Sequence, residues 1–257
     1  DSFDNEEEQI KHFCFQASDI VPEIISGSSV VGVGMGRTMY WLSDEIAPSR
    51  QPYMITFVPL AGNASPNNRY LQNSTMVSRF ADRFMGGCFF LNQYLNIRYG
   101  DANAGFSEEY NIKNANELAG IWGKMDCALF SLSTASLDGQ YFSTNYNDTE
   151  LDEHLYHHPD SCGELLSQVF FRDGRVIPIT IEKDIAPPSF PLERLSTIKK
   201  TVCMAVGNSK APVIVRAAGL HFFNTLITDI PTAQKIIDIC DKEQLMLPEE
   251  KEVRYGS

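Results

Sequence analysis

Three alternate glycines lead into a cation and a hydroxyl in Gly32-Val33-Gly34-Met35-Gly36-Arg37-Thr38, the residues of this chain best suited to chemistry. An apolar run (Val30, Val31, Val33) precedes them, and Met39, Tyr40, Trp41, Leu42 and Ile46 follow in a helix-like pattern. A strand that turns through glycine into a helix presents bare backbone N–H groups at the positive end of the helix dipole, a common protein device for holding an anion. The spacing narrows the choice of anion. The run is GxGxG rather than GxGxxG, and no acidic residue ends a second strand near Met54–Val58, so a dinucleotide is a poor match. GxxxxGK[ST] is absent, which argues against a nucleotide P-loop. A small phosphorylated ligand fits better. The competing account is a tight strand-to-helix turn whose glycines only permit close packing.

A second glycine turn, Val206-Gly207-Asn208-Ser209-Lys210, again stands between an apolar run and a helical pattern. A lysine in the first turn of a helix opposes the dipole, so Lys210 calls for an anion nearby. If the two turns lie side by side at the carboxyl ends of neighbouring strands, Arg37, Thr38, Lys210 and the backbone amides converge on one phosphate, where open α/β sheets bind ligands. The alternative is a solvated lysine in a loop. Other clusters carry less. Asp152, Glu153, His154, His157, His158 and Asp160 crowd one polar stretch, with His154 and His158 at i,i+4 spacing. Metal sites use such residues, but no matching ligand cluster occurs elsewhere, and the stretch reads as a solvated loop or lid. His221 follows an apolar helix and reads as a packed histidine. No cysteine has a basic partner that would make it a nucleophile. The residues therefore nominate no catalytic group, no metal site and no cofactor.

The elements that position these turns follow from periodicity. Residues 5–25 place Ile10, Phe13, Cys14, Ala17, Ile20, Val21 and Ile24 at helical spacing, with Pro22 kinking or restarting the helix. Its acidic start suits a helix N-terminus, and with nothing before Asp1 to cap it, 1–25 reads as a linker from an upstream part. The ligand-binding domain is expected over 26–257. Met54–Val58, Cys88–Leu91, Cys127–Leu132, Thr201–Val206 and Asn224–Thr228 read as strands. Helices are expected at 70–85, after the Asn114/Glu117 capping pattern, and over 190–200, 211–220 and from Asp229 to Cys240. A hairpin of Gln168–Phe171 and Val176–Ile181 turns on Asp173-Gly174. Residues 94–112 and the polar stretch 133–162 read as excursions or lids. Strands alternating with helices, and apolar on both faces, predict an α/β fold with a mostly parallel, doubly wound sheet and a small antiparallel excursion.

Composition sets the outer limits. The chain has 257 residues, 43% hydrophobic and 21% charged, ordinary values for a soluble globule. No apolar run approaches the roughly 20 residues that span a bilayer, and the polar, acidic start is no signal peptide. Six cysteines lack CxxC spacing, and Cys88, Cys127, Cys203 and Cys240 sit in apolar surroundings. That pattern predicts buried free thiols in a reducing cytoplasm. The net charge of −12 leaves no basic stripe for nucleic-acid phosphates, so the chain itself is not expected to bind DNA or RNA.

Seven segments in order, GVGMGRTM (32–39), VPLAGN (58–63), QNSTM (72–76), DCALFSL (126–132), CGELLSQVFFRDG (162–174), VGNSK (206–210) and LITDIPTA (226–233), resemble the sugar-binding domain of SorC-family bacterial transcriptional regulators. The resemblance runs from about Glu8 to Cys240. It implies an isomerase-like Rossmann-type sandwich that binds a phosphorylated sugar effector without turning it over. It also implies a homo-oligomer, dimer or tetramer, that reaches DNA only through an N-terminal helix-turn-helix missing here. Carried over by position, the phosphate grip falls on Gly34, Gly36, Arg37, Thr38 and Lys210. The sugar contacts fall on Gln72 and Glu164, with Gly62 and Asn63 in the VPLAGN segment. Ala61 stands where a member sensing a doubly phosphorylated sugar has arginine, Asn63 replaces a second glycine, and Phe171 stands at an acidic position. These departures favour a monophosphate. The rival is an enzyme of the same broad fold, a ribose-5-phosphate isomerase or aminosugar-phosphate deaminase, which needs a placed base. Such isomerases carry an aspartate-rich segment at about Met125–Leu132, where this chain has only Asp126, read as the end of the preceding turn.

Overall fold

Apolar residues on both faces put β1 (Val30–Val33) in the interior of a six-stranded sheet, with β2 (Thr56–Pro59) and β4 (Cys127–Phe130) as parallel neighbours. The computed structural model describes residues 5–63, 69–90, 116–134, 158–178 and 189–243. Beyond β2 lies the edge strand β3 (Gly87–Cys88), and beyond β4 lie β9 (Lys200–Met204) and β10 (Thr225–Ile227), all parallel. The order β10-β9-β4-β1-β2-β3 means the chain steps outward from β1 on one side, then returns to build the other. The reversal falls between β1 and β4. That is the position where a doubly wound sheet opens a crevice at the carboxyl ends of its strands.

Alternation along the strands divides the interior into two cores. Val31, Val33, Phe57, Cys127, Leu129, Val202 and Met204 join α1 (Glu6–Ala17), α2 (Val21–Ile25), α3 (Arg37–Glu45) and α4 (Asn73–Phe84) on one face. Val58, Ala128, Phe130 and Cys203 join α5 (residues 116–122), α6 (Ala211–Gly219) and α7 (Ile230–Glu243) on the other. Gly32 belongs to the second face, where a Cβ would stand 2.3 Å from the Met125 sulfur and 2.5 Å from Leu60. For this first glycine, close packing is the reason. Among the described residues no helix is long and apolar enough to cross a membrane.

The N-terminal helix is part of the core. Ile10, Phe13, Cys14 and Ala17 are buried in the same cluster as β1 and α3, and Pro22 starts α2 as a separate turn. Its cap comes from inside the chain, since the Asn5 side chain accepts from the Glu8 N–H at 2.9 Å. Later in the sequence Asp229 caps α7 by accepting from the Thr232 N–H at 3.0 Å.

Several expectations are corrected. The strand expected over 127–132 is two strands. The chain leaves the parallel sheet at Ser131 and enters β5 (Leu132–Thr134) of a four-stranded antiparallel sheet with β6 (Ser161–Leu165), β7 (Gln168–Phe171) and β8 (Val176–Pro178). The Asp173-Gly174 hairpin is present, but β6 adds a second one across Leu166-Ser167. Both turn residues have positive φ, 52° and 59°, as a type I′ turn requires. Neither is the Asn or Gly that signals such a turn. Over 190–200 the helix is a short 3-10 segment, Leu192–Thr197. Ser196 and Thr197 hydroxyls bond back to the carbonyls of Glu193 and Arg194, which competes with α-helical continuation. Cys88 is exposed on the edge strand, and Cys14 takes its place among the buried thiols; all six cysteines are free. His221 is exposed, not packed, in the left-handed conformation just past α6 (φ 58°). The excursion at 94–112 and residues 135–157, including His154 and His157, lie outside the described residues.

Asp126 ties the amino ends of β1 and β4 together. Its carboxylate accepts from the N–H groups of Ser29 (2.8 Å) and Val30 (3.3 Å). The glycine turn lies at the opposite end of β1, roughly 13 Å along the strand. Asp126→Ala is expected to lower stability by about 1–3 kcal/mol in urea denaturation.

Candidate functional site

β1 leaves the sheet at Gly34, whose N–H donates to the Leu129 carbonyl of β4 at 2.8 Å. Two residues later the Gly36 N–H donates to the Tyr70 carbonyl at 2.9 Å. Both amides, expected at a phosphate, are therefore committed to the fold itself. Gly36 has φ 118°, a conformation that side chains rarely adopt, and a Cβ there would stand 3.2 Å from Ser131 Oγ. The turn thus sits over the carboxyl end of β4, at the crossover of the sheet. It leads into α3, whose first N–H groups have no acceptor within the helix.

Arg37 opens α3, half-buried, with its Nη2 2.7 Å from Glu6 Oε1 of α1. Thr38 is 2% exposed, and its carbonyl accepts from the Cys14 thiol at 3.3 Å. Across β4, the second turn leaves β9 through Gly207, whose N–H donates to Thr232 Oγ1 at 2.9 Å. A 3-10 turn, Asn208–Lys210, then hands over to α6, with Lys210 as its N-cap. Burial lowers the Lys210 pKa most, the Glu6 carboxylate raises it, and the Arg37 guanidinium lowers it again. Arg37 and Glu6 are in contact, and both act electrostatically on Lys210. Cys14 and Cys203 lie within reach of Lys210, but burial pushes both thiols up to about 12, so they are neutral there. The structure brings together the two cations that the sequence placed 173 residues apart by number, and adds a carboxylate that the sequence reading assigned only to the helix dipole.

The other named residues form two flanks. Beyond β2, Gly62 and Asn63 are buried. The Asn63 side chain accepts from the Ser74 N–H (2.9 Å) and donates to the Ser74 hydroxyl (3.2 Å), so its first role is to cap α4 from outside. Gln72 directly precedes α4 and is half-buried. Beside them Asn73 is fully buried and donates to the Ala61 carbonyl at 2.8 Å, yet its Oδ1 has no partner among the described residues; nor does the buried Oγ of Ser189.

On the opposite flank, Glu164 lies on β6 beside Ser133 of β5, with Ser133 Oγ 3.5 Å from Oε2. β5 in turn packs against the Asn208–Lys210 turn. Part of the Glu164 surface is open, but its carboxyl is deep enough that burial pushes the pKa up to about 8, against lowering by Ser133 and the Ser167 backbone. A neutral carboxyl can both donate to and accept from a sugar hydroxyl. His158 is used in packing: it meets the Phe171 ring edge-on at 5.4 Å, and its Nδ1 accepts from the Asp160 N–H. Among the described residues no group of three or more His, Cys, Asp or Glu could hold a metal ion. The Glu164 shift has a measurable sign. The folded carboxyl keeps its proton up to about 8 while the unfolded one loses it near 4.5, so this group removes stability as pH rises between those values. Glu164→Gln is expected to flatten that decline in denaturation curves taken from pH 5 to 8.5.

Comparison with known proteins places this geometry. The family model described as "Putative sugar-binding domain" matches residues 1–238. The Deoxyribonucleoside regulator of Bacillus subtilis is 22% identical over 222 residues, covering 86% of this chain and 68% of the relative. The full-length sorbitol operon regulator SorC of Klebsiella pneumoniae superposes with a TM-score of 0.71 at 21% identity, over 90% of this chain and 73% of that one. A DeoR family transcriptional regulator from Listeria monocytogenes superposes with a TM-score of 0.74 at 18% identity, over 91% and 90%. The α/β fold expected from the sequence, a mostly parallel, doubly wound sheet with a small antiparallel excursion, is the one observed, and the chain belongs to the sugar-binding domain family, among relatives that are transcriptional regulators of the SorC and DeoR type.

Proposed function

We propose that this chain is the effector-binding domain of a sugar-responsive transcriptional regulator, and that it grips the phosphate of a phosphorylated sugar, a monophosphate, without turning it over. The observation that carries the reading is that Arg37 and Lys210 follow β1 and β9, the two parallel strands flanking β4, so both stand at the carboxyl edge where the sheet order reverses. A half-buried cation pair is costly unless an anion accompanies it. The first-turn amides of α3 add donors at the positive end of a helix. Gln72 and Glu164 stand on the two flanks and supply amide and carboxyl groups suited to sugar hydroxyls. Ala61 and Asn63 leave no second cation in the 58–63 segment, which favours one phosphate over two.

Absence of turnover is supported by the place of Asp126, which is bound to Ser29 and Val30 at the amino edge of the sheet, far from the cations. A net charge of −12 supports DNA contact through a separate domain, as in a regulator whose chain extends beyond this one. The reading includes a reducing, cytoplasmic setting and self-association as a dimer or tetramer, since regulators of this type act through paired heads on repeated half-sites.

A thermal-shift series over pentose and hexose phosphates, each beside its unphosphorylated sugar, tests the reading. A ligand at 100 times its Kd stabilises by about 2.7 kcal/mol, so at least one phosphosugar is expected to raise Tm by several degrees. Its unphosphorylated partner is expected to be silent. Lys210→Ala is expected to cost tenfold or more in affinity. A shift by the unphosphorylated sugar of equal size, or full affinity in Lys210→Ala, contradicts the phosphate assignment.

A further inference from the structure

The site already holds an anion, and the anion comes from the chain. Glu6 lies in the first turn of α1, more than half exposed, and its Oε1 is 2.7 Å from Arg37 Nη2. It is also the carboxylate, among the described residues, that acts on Lys210. The rest of the first turns of α1 is attached to the same surroundings. Glu7 Oε1 accepts from the Tyr70 hydroxyl at 3.2 Å, and the Tyr70 carbonyl is the acceptor that holds Gly36. Gln9 donates to Asp229 at 2.9 Å, at the start of the helix whose Thr232 holds Gly207. Lys11 lies 4.2 Å over the Trp41 ring of α3.

Resting on the phosphate reading above, we infer that the Glu6 carboxylate is an internal stand-in for the effector's phosphate, and that phosphate binding displaces it and loosens the start of α1. A phosphate oxyanion can take an arginine by two parallel hydrogen bonds, whereas Glu6 reaches it through one oxygen. The ion pair it breaks is partly open to solvent, with the Arg37 side chain 27% and the Glu6 side chain 53% exposed, and screening by water weakens such pairs. Displacement is therefore easy, and the differential contact that a ligand needs in order to shift a conformational equilibrium is on hand. Occupancy of the phosphate site would be read out as the attachment of α1, a helix with its second turn and beyond rooted in the core and its first turn held by the site.

The test uses inorganic phosphate as the probe, titrated at constant ionic strength into the unmodified chain, Glu6→Gln and the neighbouring control Glu8→Gln, with hydrogen exchange followed over residues 6–17. Glu6→Gln is expected to bind phosphate about two- to fivefold more tightly, the worth of one solvent-screened ion pair, and Glu8→Gln to bind as the unmodified chain does. Phosphate is expected to speed exchange of the first α1 amides in the unmodified chain and to leave the already faster exchange of Glu6→Gln unchanged. Equal or weaker binding by Glu6→Gln, or α1 exchange that does not respond to bound phosphate, overturns the inference and leaves the phosphate site standing. No phosphate binding by any of the three overturns the site and the inference together.

Discussion

Two backbone hydrogen bonds fix the geometry on which the site depends. The Gly34 N–H donates to Leu129 and the Gly36 N–H to Tyr70, so the turn after β1 is fastened to β4 on one side and to the segment before α4 on the other. With both ends held, the turn that opens α3 stands beside Ser131, just past the end of β4. The positive φ of Gly36 makes that path possible, and Gly207 repeats the device after β9 with φ 115° and its N–H fixed on Thr232. These hydrogen bonds fix where the backbone presents Arg37 and Lys210.

That placement has an electrostatic consequence. Two cations converge where burial has already lowered the lysine pKa, beside thiols that burial keeps neutral. The local surroundings therefore favour an anion more strongly than an exposed pair of cations would. Glu6 answers part of that demand from within the chain. The rest of the protein carries the opposite sign, with a net charge of −12, so the site is a local positive feature on an acidic molecule. On the proposed reading, that overall charge disfavours a long phosphate polymer more than a small anion.

The parallel sheet was legible because its signals are local. Short apolar runs bounded by glycine, asparagine and aspartate marked the strands, and the alternation of strand and helix marked the winding. The two glycine turns were legible for the same reason. What could not be read was how the turns use their amides. Gly34 and Gly36 look like anion donors in sequence, and only the pairing of β1 with β4 and the nearness of Tyr70 show that their hydrogens are spent. The β6–β7 hairpin was hidden because Leu166 and Ser167 adopt positive φ without the residues that normally announce it. Glu6 was hidden in plain view, since an acidic first turn is expected of any helix and nothing in residues 5–10 says which cation lies opposite. Cys88 and His221 were misplaced because apolar neighbours in sequence do not reveal an edge strand or the residue just past a helix.

The central claim is that one phosphate is held between the start of α3 and the Asn208–Lys210 turn. Amide NMR of the isotopically labelled chain, titrated with inorganic phosphate against chloride at equal ionic strength, tests it directly. The account predicts the largest shifts at Arg37, Thr38, Met39 and Asn208 to Lys210, with Gly34 little moved because its N–H stays on Leu129. Shifts centred elsewhere, such as on His158 and Asp160, or a spectrum that phosphate leaves unchanged, would contradict it.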